Sequence, residues 1–359
     1  MAGGDGSAKG KSKGGGFRVV ARRPPIKRVA FAKVTPQELA QLQKTRPSAG
    51  ARSQTNAPDG REYEPLHQEI KTIEGAPLAE AGERFSPELI ERLWKSRTGV
   101  EGLETALGKT KHFEELQKYL ASPLHSAVFT KTKRQYEIMN AVRNLRLPRL
   151  LHVELQALLA AAPWAHEQAF ISASITALLL ARAGVGSASD IAQVWLACAI
   201  RDVGLTRVPV QILRSQKKLT ASQFNEYLAH ELYSGVILAR SLGPSLAVRI
   251  ATGHHRASPH NRWRPDVPGY SEAEFAALHT FLAVADAYTG MIGTRTFRSA
   301  AYSVRGALDT LISGARAGWH DVKAVALLVS LVRKDESVDN LRVSQKRRGD
   351  VPDENYFGI

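Results

Sequence analysis

Six polar residues stand on otherwise apolar helical stretches or at their ends: His166, Asp202, His230, His254, His255 and Asp286. Any one of them alone says little, because a single histidine on a helix is usually structural. Their joint pattern says more. Carboxylates and imidazoles spread over successive helices converge only in the core of a bundle, and burying that many titratable groups is costly unless they share a cation. A dication with Asp as oxygen ligand and His as nitrogen ligand removes the cost and creates a Lewis acid. His112, His125 and His152 read instead as surface or satisfied core residues. Cys198, the sole cysteine, lies inside an apolar run and reads as a small buried hydrophobe.

The elements that must position these residues follow from helical periodicity and capping signals. Ser86-Pro87-Glu88 has an N-cap serine, a proline at the first helical position and an acid in the first turn. Leu89, Ile90, Leu93 and Trp94 continue it as a stripe. Further helices are expected at Thr110–Ala121 and Thr130–Leu147, the latter closed by Pro148. From Trp164 onward consecutive helices with short connections are expected, over Trp164–Ala183, Ser189–Val203 and Thr220 to about Leu242. Thr220 with Gln223 forms a capping box for the last of these. After Gly243-Pro244 one helix runs to about His255, a second opens at Ser271 with Glu274, and Val304–Ala317 and Val322–Val332 finish the series. No alternating apolar pattern of strand type appears, so the expected fold is all-α, an orthogonal helical bundle. The expected organisation is a disordered basic tail over 1–85, a helical N-terminal subdomain over 86–160, the main helical domain over 161–332 and a charged C-terminal tail over 333–359.

Composition sets the remaining bounds. The chain has 359 residues and a formal net charge of +15. One cysteine makes no internal disulfide. No stretch reaches the roughly 18 apolar residues of a membrane span, and a cytoplasmic protein is the expectation. Nine Lys and Arg residues between Lys9 and Lys33 face Asp5 alone. Such a local polycation suits an anionic partner for the tail, approached by counterion release.

The main helical stretch resembles the HD superfamily of phosphohydrolases, and within it the HD-GYP domains that hydrolyse cyclic di-GMP. Ala199-Ile200-Arg201-Asp202-Val203-Gly204 and the downstream Val208-Pro209-Val210-Gln211-Ile212-Leu213 are similar to its His-Asp-Ile-Gly-Lys and Val-Pro…Ile-Leu segments. His230 with Gly235, Ile237 and Leu238 resembles its His-Pro-x-x-Gly-x-x-Ile-Leu helix. His254-His255 resembles its His-His pair, Ala283 to Tyr288 its Ala-Val-Ala-Asp-Ala-Phe, and Arg295-Thr296-Phe297-Arg298 its Arg-Pro-Tyr-Arg. The resemblance implies an HD-type fold, metal-ligand roles for His166, Asp202, His230, His254, His255 and Asp286, and a bridging, catalytic role for Asp202. It also places Arg295 and Arg298 near substrate phosphates, with helix capping or a salt bridge as an equal alternative.

Three departures from that pattern bear on function. Arg201 replaces the histidine of the His-Asp pair, and a guanidinium has no lone pair to give a metal and stays protonated. Leu205 stands where the family has lysine, with Arg207 two residues on. The His-His pair is followed by Arg256 and a basic, aromatic loop with His260, Arg262, Trp263 and Arg264, where Arg262 and Arg264 suit an anionic ligand or simply face solvent. The expected protein is therefore a degenerate HD-GYP-like signalling or scaffolding module with impaired phosphodiesterase activity. Its expected metal is a divalent transition ion, iron or manganese, one ion rather than two, and its ligand a cyclic dinucleotide or a protein partner. The alternatives are an active metal-dependent phosphohydrolase with an altered site, and a nucleic-acid-associated protein acting through its basic tail.

Overall fold

The computed structural model describes residues 64–99, 103–129, 132–255, 272–295, 300–333, 341–343 and 350–352. All of them lie in the compact unit Ser48–Ile359. Order begins earlier than the boundary expected at residue 86. Two short antiparallel strands, β1 (Ile70–Lys71) and β2 (Pro77–Ala79), make a hairpin that buries Leu66, Ile70, Leu78 and Phe85. The basic residues from Lys9 to Lys33 lie outside the described residues, as does most of the C-terminal tail.

Helix α1 (Pro87–Lys95) starts as its sequence dictates, with the Ser86 hydroxyl accepting the Leu89 amide at 3.3 Å. Strand β3 (Glu104–Ala106) pairs antiparallel with β4 (Arg146–Pro148), bracketing helices α2 (Lys111–Ala121), α3 (Ser126–Phe129) and α4 (Thr132–Val142). These two-stranded ribbons are additions to the all-helical expectation, too short for any period-two signal to show. Helices α5 (Arg149–Ala161) and α6 (Pro163–Ala183) follow, the latter ended by Gly184 in the left-handed conformation. Next come α7 (Ala188–Ala199), a 3-10 turn over Val203–Arg207, α8 (Val210–Leu213), α9 (Ala221–Leu228), α10 (His230–Leu242) and α11 (Leu246–Ala251). Helices α12 (Glu272–Ile292), α13 (Val304–Arg316) and α14 (Val322–Arg333) complete the fold.

The Thr220–Gln223 capping box is present in both directions, at 3.2 and 3.0 Å. The single helix expected from Thr220 to Leu242 breaks at Ala229, which leaves His230 as the first residue of α10. Helix α6 is the axis of the assembly. It is apolar on nearly every face and packs against α2, α5, α7, α12 and α14, as a helix buried all round must. One hydrophobic core runs through the whole described region, so the expected 86–160 subdomain shares its core with the rest. Phe85 shows how closely. A side-chain carbon at Gly235 of α10 would lie 2.8 Å from the Phe85 ring, so only glycine lets the hairpin seat there. No described helix is long and apolar enough to cross a membrane.

Candidate metal centre

The centre grows from the turn after α7. Asp202 sits where α7 gives way to the 3-10 turn, and that turn is pressed against α10. A Cβ at Gly204 would come within 2.3 Å of the His230 carbonyl and the Ser234 amide, and the Gly204 amide donates to the Ser234 hydroxyl at 2.8 Å. The contact sets the distance between Asp202 and the histidines of α10 and α11. His230 Nε2 stands 3.4 Å from Asp202 Oδ1, His254 Nε2 stands 3.1 Å from the same oxygen, and the two nitrogens are 3.3 Å apart.

The other nitrogen of each ring fixes its tautomer. His230 Nδ1 faces the Tyr227 carbonyl at 2.5 Å and His254 Nδ1 the Ala251 carbonyl at 2.8 Å, so both Nδ1 atoms donate. Each neutral ring then turns an Nε2 lone pair towards a carboxylate and towards the other ring. Three acceptors in mutual contact need a positive charge among them. A proton on His254 is one answer: burial opposes it, but the charge of Asp202 and its hydrogen bond outweigh burial and hold His254 above its ordinary value. A metal ion is the other, and the donor set fits one. His230, His254 and His255 each offer a ligand atom within 4.8 Å of the others, and together they could hold a metal ion. The His254 and His255 rings are 4.1 Å apart between centroids and His255 stands 5.4 Å from His230. Burial, with His254 and His230 beside it, keeps His255 well below its ordinary value and thus neutral, as a ligand must be.

On the other side of Asp202 lies Arg201, 1% exposed. Its Nε is 3.3 Å from Asp202 Oδ2, and one Nη donates to Asp286 Oδ1. The other Nη donates to the Ser172 hydroxyl and the Cys198 carbonyl, both at 2.9 Å. Burial works against that charge, but Asp202 and Asp286 outweigh it and hold the guanidinium above its usual range. Asp202 in turn, despite its burial, is held well below the usual carboxylate range by Arg201 and His254. Asp286 also accepts from the Gln168 amide at 2.9 Å, and Gln168 accepts from Arg295, whose guanidinium lies 5.2 Å from the Trp164 ring.

The six residues singled out in the sequence are therefore sorted by the fold. His230, His254 and His255 come together beside Asp202, and Asp286 lies across Arg201 from them. His166 lies elsewhere: its Nε2 is 3.1 Å from His112 Nδ1 and its Nδ1 is 3.0 Å from the Tyr119 hydroxyl. Two positions along a helix is a turn of about 200°, so α6 shows His166 and Phe170 to α2 while Gln168 and Ser172 face Arg201. Those last two were missed in the sequence. Their signal was a pair of polar residues at i, i+4 in an apolar helix. Glu231, 4% exposed, was missed as well; its carboxylate accepts the His255 amide at 3.0 Å.

Leu205 is buried in the core. Arg207 is committed to the buried Glu154 through two contacts of 2.6 and 2.7 Å, and it also donates to the Lys71 carbonyl of the hairpin. Cys198 is fully buried, and burial pushes its thiol up to about 12, in line with a core role. Arg262, Arg264, Arg298 and His260 lie outside the described residues. Comparison of the chain with known protein families, with curated proteins and with solved structures gives no match.

Proposed function

We propose that this chain is a degenerate HD-GYP-like module that binds rather than turns over. It holds one divalent transition ion on His230, His254 and His255 beside Asp202. One observation carries the reading. Arg201 is buried between Asp202 and Asp286, where its guanidinium supplies the positive charge that a second ion would bring. A guanidinium donates hydrogen bonds but accepts no ligand and generates no hydroxide. A two-metal clamp on the attacking and leaving oxygens of a phosphodiester therefore lacks one half. A single ion on the histidines would supply Lewis acidity at one point, and the chain's own residues would hold it: Asp202 adds a carboxylate oxygen beside two of the imidazoles, and the Tyr227 and Ala251 carbonyls orient those rings and fix their tautomers. The ligand in this reading is an anionic nucleotide or a protein partner, met at the rim where Gln168 and Trp164 hold Arg295.

Elemental analysis of metal-loaded, full-length protein tests it. About one ion per chain is expected for the wild type and about two for Arg201→His, which restores a fourth imidazole. Two ions in the wild type, or hydrolysis of cyclic di-GMP at the roughly 1–1000 per second of an ordinary enzyme, would overturn it.

A further inference from the structure

Glu231 is a buried carboxylate at the edge of this centre. It follows His230 directly in the first turn of α10, and its Oε1 accepts the His255 amide at 3.0 Å while standing 3.8 Å from His254 Nδ1. It thus touches the His-His pair twice, once through backbone and once through a ring edge. A neutral acceptor would satisfy the amide equally well. A carboxylate adds charge to that hydrogen bond, and negative charge at the Nδ1 edge of His254 strengthens the lone pair on the Nε2 that faces Asp202. Carboxylates placed behind ligating histidines act in this way, fixing the ring and raising its basicity.

We infer that Glu231 is a positioning residue of the metal centre, holding His255 in place and tuning His254 for a divalent cation. The inference rests on the reading of His230, His254 and His255 as metal ligands. Full-length wild type, Glu231→Gln and Glu231→Ala are titrated with Co2+, following visible absorption and competition with a chelator, with unfolding measured metal-free in parallel. Glu231→Ala should bind about 10–100-fold more weakly, with a changed Co2+ absorption as His255 loses its hold. Glu231→Gln keeps the acceptor and drops the charge, so its affinity should fall between the two with the wild-type band shape. A purely structural role would move the unfolding curve and leave affinity and spectrum of the folded protein alone. Wild-type affinity in either variant overturns the inference while leaving the metal centre standing. A wild type that binds no Co2+ removes both.

Discussion

Among the described residues two buried groups of histidines stand apart, and they differ in how their lone pairs are arranged. Between α2 and α6, donors and acceptors alternate. The Tyr119 hydroxyl donates to His166 Nδ1, His166 Nε2–H donates to His112 Nδ1, and His112 Nε2 faces the His152 carbonyl at 3.4 Å. That assignment leaves both rings neutral with every nitrogen engaged. Burial agrees, pushing His112 down to about 4 and His166 down to about 3. Beside Asp202 the rule is reversed: with both rings neutral, acceptors face acceptors, and a proton on His254 or a metal ion fills the gap. The first group is closed to a cation and the second could hold one. Counting histidines does not separate the two; following which nitrogen carries the proton does.

The widest gap between the groups should appear in metal affinity. His254→Ala should weaken binding of a divalent transition ion by at least about a hundredfold, since even groups behind the ligands are worth 10–100-fold. His166→Ala should leave the affinity within about twofold. Equal losses in calorimetric titrations of the two variants would erase the distinction.

Acid should discriminate in stability. His112 and His166 have folded values below the unfolded value, so they favour the fold fully above about pH 6.5 and progressively less as pH falls towards their folded values of about 4 and 3. One such histidine should cost about 2 kcal/mol at pH 5, and the coupled pair somewhat less than twice that. Denaturant unfolding at pH 7 and pH 5 should therefore show a shallower pH slope in His112→Gln/His166→Gln than in the wild type. An unchanged slope would mean the chain of hydrogen bonds is not neutral as assigned.

The smallest effect is expected from Tyr119→Phe. It removes the first donor of the chain and should cost about 1 kcal/mol of stability, with no change in metal affinity. A shift in metal binding here would join two groups that the fold holds on opposite faces of α6.

Which parts of this were legible in the sequence follows from how each part is encoded. The helices were, because capping residues such as Ser86 and Thr220 mark their starts. Asp202, His230, His254, His255 and Asp286 stood out as polar residues in apolar surroundings, and Arg201 as the break in the pattern. The face of α6 was not legible: a helix buried all round has no apolar stripe to orient it, so nothing in the residues told His166 from Gln168. The hairpin over residues 64–85 escaped because strands of two or three residues carry no periodicity. The break at Ala229 escaped because no glycine or proline announces it. Glu231 escaped because an acid in the first turn of a helix ordinarily reads as favourable placement near its N-terminus.

Arg201 differs from any ion in one further respect: it is covalently attached and has no rate of departure. The positive charge between Asp202 and Asp286 is therefore inherited with the gene and indifferent to chelators or to scarcity of metal. The position also tolerates few substitutions. A replacement of Arg201 that offers neither charge nor ligand leaves Asp202 and Asp286 facing each other in the interior, a loss of about 3–5 kcal/mol.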